Sequence, residues 1–255
     1  LPTLGEPEIV AAMDGSTLRA WHDSLRERRA MAVAVGDLEQ DALIDALEPL
    51  SRWPRSSEDI TGANEVPAFR SDTGIERRNK AQTALAMAFA AEPFGSPERY
   101  ALTVIGTLLS GLAGRLFHEL RERRSLAYTV AVMPWLRGRA GAMLGYVATA
   151  PEREDEAREA ILAELSRLSR EEIGDEELDR ARNYAAGMVE VQQQSGAAVA
   201  GEITAAWTYD VLEDLAEVPQ RLRAVTTDEV ARLAAAVFDP GKRAEFVVRG
   251  SKESK

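Results

Sequence analysis

Phe117-His118-Glu119-Leu120-Arg121-Glu122-Arg123-Arg124-Ser125-Leu126-Ala127-Tyr128 is where helix and sheet meet in this chain. A helix over Leu116 to about Arg123 is expected to break at Ser125-Leu126-Ala127 and lead into an extended run. On an uninterrupted helix, Arg121 and Tyr128 would share one face roughly 10 Å apart along the axis. The break instead brings Tyr128 to the mouth of a strand, nearer to Arg121. Two apolar runs follow, Ala127 to Trp135 and Ala140 to Thr149, joined across Arg137-Gly138-Arg139, and they read as a hairpin.

Working outward, Ser96-Pro97 caps a helix in which Ala101, Val104, Ile105 and Leu108 fall on one face, a face suited to packing on a sheet. Before it, Gly74 to Ala91 holds two extended stretches, the second being Thr83-Ala84-Leu85-Ala86-Met87-Ala88-Phe89. On the C-terminal side, Ala157, Ile161, Leu165 and Leu168 mark an amphipathic helix whose charged residues form its solvated face. Leu178, Ala181, Ala185 and Met188 mark another, with a break at Gln192-Gln193-Gln194-Ser195-Gly196. Thr226 and Glu229 form a capping box before Val230, Leu233, Ala234 and Val237, and Glu245-Phe246-Val247-Val248 supplies a last strand. Near the start, Ser16 caps a helix through Leu18, Trp21 and Leu25. Ala30-Met31-Ala32-Val33-Ala34-Val35 reads as a short buried strand, and Gln40 to Leu47 as a helix. Between Pro49 and Pro67 turn formers replace apolar periodicity, which marks a linker. The expected class is α+β, helices packed on a mixed, mainly antiparallel sheet. Helices precede a strand ending in glycine twice, at Val35-Gly36 and at Val248-Arg249-Gly250, as two related halves would.

Of 255 residues, 45% are hydrophobic and 29% charged, which suits a soluble globular protein. Asp and Glu outnumber Lys and Arg by 42 to 31, and the net charge of -11 opposes binding to nucleic acid or anionic lipid. The absence of cysteine removes disulfides, thiolate zinc sites and cysteine nucleophiles. No run approaches the roughly 20 apolar residues of a membrane helix. The first residues, Leu1-Pro2-Thr3, show no targeting segment, and the natural start is expected upstream.

The opening segment resembles the signature of the C-terminal half of pitrilysin- and insulinase-like zinc peptidases, the inverzincins related to the mitochondrial processing peptidase. Leu4-Gly5-Glu6-Pro7, the Trp21 helix and Val33-Ala34-Val35-Gly36-Asp37 are similar to the end of that family's first half. Lys80-Ala81-Gln82, Leu108-Leu109-Ser110-Gly111, Arg115-Leu116-Phe117, Glu176-Glu177-Leu178-Asp179-Arg180-Ala181 and Val225-Thr226-Thr227-Asp228-Glu229-Val230 match its second half in order. The resemblance implies the fold of one half of a mitochondrial processing peptidase/LuxS-like metallohydrolase. Residues 1–50 would be the tail of the catalytic half, 51–66 the linker and 67–255 the C-terminal half-domain. It implies that the two halves enclose an extended peptide or unfolded polypeptide. Arg121 and Tyr128 would hold substrate and stabilise the transition state, with Gly111, Arg115 and Phe117 beside the substrate. A guanidinium keeps its charge and a phenol donates one hydrogen bond to a carbonyl or an oxyanion, chemistry that positions and stabilises.

The zinc that such a peptidase needs is expected in the missing N-terminal half or in a partner subunit, because His22 and His118 are the only histidines and neither begins His-x-x-Glu-His or His-Glu-x-x-His. This chain is not expected to cut peptides alone. The alternative is a catalytically inactive family member serving as a structural or partner subunit. Strand addition at a sheet edge would hold part of the peptide. Exposure of an apolar inter-half face would favour a homo-oligomer. The resemblance is to bacterial-type enzymes, of the cytoplasm or the periplasm.

Read without the resemblance, Arg121 is a surface arginine among Arg115, Arg123 and Arg124, and Tyr128 a strand-end aromatic. One imidazole beside one carboxylate, His118-Glu119, makes no zinc site. Gly111 and Gly114 lack the context of a phosphate loop and suit a tight turn between helices. No serine has the histidine and acid of a triad.

Overall fold

The computed structural model describes residues 5–25, 30–51, 68–111, 113–170 and 173–251. The chain divides into two compact units, Leu1–Glu65 and Val66–Lys255. All but Ser51 of the expected linker, and Leu4 of the first family motif, lie outside the described residues.

In the first unit, α1 (Pro7–Ala12), α2 (Gly15–Leu25) and α3 (Gln40–Ser51) follow one another. The cap of α2 is Asp14 and not Ser16. The Asp14 Oδ1 accepts from the Thr17 N–H at 2.8 Å and from the Ser16 and Thr17 hydroxyls at 2.7 and 2.9 Å. Ser16 already lies inside the first turn, so its hydroxyl reaches back to the cap. These bonds, the Thr17 N–H first among them, lower the Asp14 carboxyl to about 2. Ala30 to Val35 forms no strand, although half-buried Met31 and Val33 alternate with exposed alanines. A strand exists only through a hydrogen-bonded neighbour, and among the described residues none pairs with this run.

The second unit runs β1 (Thr73–Arg78), β2 (Thr83–Ala91), α4 (Arg99–Leu109), β3 (Ala127–Leu136), β4 (Gly141–Thr149), α5 (Glu154–Arg170), α6 (Asp175–Gln192), α7 (Gly196–Thr208), α8 (Val218–Ala224), α9 (Thr227–Val237) and β5 (Arg243–Gly250). Its sheet has the order β1-β5-β2-β4-β3, with β1 parallel to β5 and every other pairing antiparallel. The fold is therefore α+β on a mixed, mainly antiparallel sheet.

Alternation in β2 explains why an alanine-rich run is a strand: Leu85, Met87 and Phe89 are buried while Ala86 and Ala90 are exposed on the other face. Those three large side chains meet the apolar faces of the helices. Ala101, Val104, Ile105 and Leu108 of α4 are buried, as are Ala157, Ile161, Leu165 and Leu168 of α5 and Val230, Leu233, Ala234 and Val237 of α9. The Phe89 ring meets Phe238 edge to face, with centroids 5.3 Å apart. The capping box of α9 is formed, Thr226 N–H to Glu229 at 2.8 Å and Glu229 N–H to Thr226 Oγ1 at 3.2 Å. Helices α7 and α8 are additions to the sequence reading. Ser195 caps α7 and a proline opens α8, but the run Gly196-Ala197-Ala198-Val199-Ala200 has no polar face to betray its period.

An ionic clamp ties α5 to β5. Glu154 accepts from Arg158 at 2.8 Å and from Arg249 at 2.7 and 2.6 Å, and Glu245 accepts from Arg158 at 2.7 Å and Arg243 at 3.0 Å. The hydrogen bonds from Arg249 hold the Glu154 carboxyl down at about 2, against the opposing effect of burial. Among the described residues no helix is long and apolar enough to cross a membrane.

Candidate functional site

The expected α-helix over Leu116 to Arg123 is a wider, π-type coil at Phe117–Arg123. It closes with Ser125 N–H on the Arg121 carbonyl at 3.2 Å and Leu126 N–H on the Leu120 carbonyl at 2.7 Å. Such wide turns recur at functional sites, where they redirect side chains. Nothing in the residue pattern separates it from an ordinary helix. The break falls where expected: Ser125 has φ of 49°. Arg153 pins the turn by donating to the Arg124 carbonyl at 3.2 Å and the Ser125 carbonyl at 2.9 Å, and the Thr149 hydroxyl donates to the Leu126 carbonyl at 2.7 Å.

The chain then enters β3 through a bulge. Pairing passes from Ala127 opposite Thr149 to Thr129 opposite Ala148, which leaves Tyr128 as the extra residue. A bulge re-aims a side chain out of the sheet's alternation, and Tyr128 is 74% exposed. Coil, turn and bulge together place the Arg121 guanidinium carbon 4.9 Å from the Tyr128 ring centre and 4.8 Å from that of Phe117. Three of the five residues singled out in the sequence thus form one cluster.

Arg115 and Gly111 stand apart from it. Arg115 makes a two-pronged pair with Glu177 of α6, both bonds 2.6 Å, and its Nη1 is buried with no hydrogen-bond partner. That pair, led by the Arg115 hydrogen bonds, holds the Glu177 carboxyl below the usual range. Gly111 turns the chain after α4 with φ of 81° and lines a groove of about 690 Å3 beside α6, with Thr107, Leu108, Ala113 and Tyr184. Gly114 completes this turn, since a Cβ there would sit 2.3 Å from the Ser110 carbonyl oxygen. A second cleft, about 640 Å3 and largely apolar, lies over the sheet at Ala86, Ala88, Met133, Tyr146 and Phe246. Arg121 and Tyr128 line neither cleft.

The charges around Arg121 are spoken for. Buried Glu119 takes both Arg123, at 2.5 Å, and Arg124, at 2.7 Å. Burial alone would raise this carboxyl, but the two arginines outweigh it and hold it below its ordinary value. His118 Nδ1 lies 2.9 Å from Glu122. Arg121, half-buried, has no ion-pair or hydrogen-bond partner for its guanidinium among the described residues. Sequence reasoning missed Glu119, Arg153 and Thr149 as supports of this cluster, because each acts across a turn or a strand pairing that only folding creates.

The donor set does not fit zinc. The two histidines of the sequence stand far apart along it, and His118 is engaged with Glu122. Among the described residues no three of His, Asp and Glu gather where they could hold a metal.

With this geometry established, residues 14–184 match the family described as "Peptidase M16 inactive domain". The chain belongs to this family. Among curated relatives, it is 27% identical over 199 residues to "Uncharacterized zinc protease YmxG" of Bacillus subtilis, covering 76% of this chain and 47% of that protein. It is 27% identical over 247 residues to "Uncharacterized zinc protease Rv2782c" of Mycobacterium tuberculosis, covering 91% and 55%. The chain therefore spans about half the length of the curated relatives it matches. The fold is that of a peptidase M16 inactive domain from Pseudomonas fluorescens, with a TM-score of 0.81 at 21% identity over 98% of this chain and 61% of that one.

Proposed function

We propose that this M16 inactive domain is the non-metal-binding, C-terminal half of a zinc metalloendopeptidase. In this reading, residues 1–50 are the tail of the catalytic half, 51–66 the linker and 67–255 the wall that closes the peptide chamber. The catalytic half, in the same protein or a partner subunit, carries the zinc that activates water and polarises the scissile carbonyl. What supports the reading is the convergence of the π-type coil, the positive-φ turn and the bulge on one result, a charged guanidinium and an exposed phenol side by side. That pair can donate to a peptide carbonyl or to the oxyanion that forms on it.

Edges of the sheet refine how a peptide would lie. The β3 edge is closed at Val132, whose N–H and carbonyl both bond the Ser110 hydroxyl, at 2.6 and 2.7 Å, and Pro134 offers no N–H. The β1 edge, with exposed Thr73, Ile75 and Arg77, is open to strand addition, and since β5, β2 and β4 separate it from β3, a stretch of peptide added there is a different one from the stretch that meets Arg121 and Tyr128.

In a peptidase assembled from this chain and a catalytic half, Arg121→Ala is expected to lower kcat/KM roughly tenfold to a hundredfold, with bound zinc unchanged. Turnover equal to that of the parent enzyme would remove Arg121 from the site.

A further inference from the structure

We propose that the pocket bounded by the start of α4, the end of α6, α7 and α8 binds a compact, neutral, largely apolar molecule, oriented by one hydrogen bond from the Tyr100 phenol to an acceptor atom on it. The inference goes beyond the peptide-contact reading and does not depend on it. This pocket lies at the first turns of α4, whereas Gly111 and its groove follow that helix's last turn.

Shape and lining set the ligand's body. The pocket measures about 370 Å3 and is walled mainly by aliphatic and aromatic groups, among them Phe94, Leu136, Val189 and Leu222. An apolar cavity of ~150 Å3 stays dry and takes up benzene, so a space more than twice that size suits a molecule of about two fused rings. One wall is α7, through Gly201, Ala205 and Ala206. This helix is rich in apolar residues, yet only Ala206 is buried, so its inner side meets a hollow where a helix of such composition would ordinarily meet core.

Tyr100 supplies the polar recognition. It is 6% exposed, and its hydroxyl accepts from Arg99 Nη2 at 2.5 Å but donates to nothing among the described residues. Burial, the leading cause, raises this phenol above its ordinary value, so it keeps its proton at neutral pH. A buried donor without an acceptor is costly, and a carbonyl or ether oxygen of the ligand would satisfy it. The Thr103 hydroxyl cannot compete, since it already donates to the Arg99 carbonyl at 2.8 Å. Charge favours a neutral ligand. Of the two charged residues in the lining, Arg99 is matched by Asp214 at 2.9 Å and Glu202 is negative, so an anion finds no unmatched cation there. Arg221, which shares Asp214 at 3.5 Å, is also held by Glu217 at 2.9 Å. A cationic ligand would meet the Arg99 guanidinium.

The test titrates the chain of residues 1–255 with three naphthalenes of similar size, each substituted at the β position: methyl naphthyl ketone, ethylnaphthalene and naphthoate. Amide NMR spectra of the labelled chain report affinity and place together. Both neutral compounds are expected to bind and to shift the signals of α4, α6 and α7, with naphthoate weaker than the ketone. In Tyr100→Phe the ketone should lose about three- to tenfold in affinity, while ethylnaphthalene, which has no atom to accept from the phenol, should bind the variant as it binds the parent. Ala206→Leu, which fills the pocket, should abolish binding of both. Absence of binding by both neutral compounds, or shifts confined to other elements, overturns the proposal. So does naphthoate binding tighter than the ketone, or a Tyr100→Phe chain that weakens the ketone no more than ethylnaphthalene. Undiminished binding to a folded Ala206→Leu chain overturns it as well, and if that variant does not fold the Tyr100→Phe comparison decides.

Discussion

Ser125 carries more of the site than its chemistry suggests. Its φ of 49° is a region where a β-branched side chain is strained, and the turn it makes separates the Arg121 coil from the Tyr128 strand. Ser125→Val is expected to lower stability by about 1–2 kcal/mol, read as a shift in the urea midpoint. Ser125→Gly should leave stability unchanged or raise it, since glycine takes this conformation freely. A Val variant as stable as the parent would show that the turn relaxes without cost. At this scale the sequence was informative about identity and silent about partners. The spacing of Arg121 and Tyr128 and the break between them were legible, because helix breakers and apolar runs are local. The sharing of Glu119 by Arg123 and Arg124, and the hold of Arg153 on two carbonyls, depend on the wide coil and on the turn at Pro151–Arg153, which passes beside it just before α5.

Among the elements, the junction of α5 with β5 is the most exposed to pH. The Glu154 carboxyl, ordinarily 4.5, is held at about 2 in the fold, so the folded state binds its proton less readily than the unfolded chain does. Its contribution is fully present above about pH 4.5 and is lost as pH falls towards 2. Glu154→Gln should destabilise the protein by about 2–3 kcal/mol at neutral pH and flatten the acid limb of a stability profile between those limits. Denaturant melts from pH 6 to pH 2, run on both proteins, provide the check, and two parallel profiles would exclude Glu154 as the cause. Elements also divide by how readable they were. The hairpin, α4, α5 and α9 followed from period and caps. Ala30 to Val35 has a strand's composition but no ladder among the described residues, and α7 forms from a run too uniformly apolar to show a period.

For the molecule as a whole, the metal question is the sharpest. Zinc needs several nitrogen, sulfur or carboxylate donors converging at about 2 Å, whereas Glu119 is held by two arginines, Glu177 by Arg115, and Glu122 lies against His118. Titration of the chain with zinc should therefore show no stoichiometric micromolar site by calorimetry. A single tight site would place the metal in this chain and end its reading as the wall opposite a catalytic half.

Composition and period by themselves determined the class of this protein: large apolar residues alternate with alanines in β2, apolar stripes recur along the helices, and caps mark their ends. These are local properties, fixed by backbone geometry over a few residues. Tertiary structure alone decided that β5 inserts between β1 and β2, that the β3 edge closes on Ser110, and that Arg121 meets two rings while its neighbours meet carboxylates. Each of those outcomes depends on which distant segment fills a neighbouring space, and packing settles that only when the whole sheet and its helices close together.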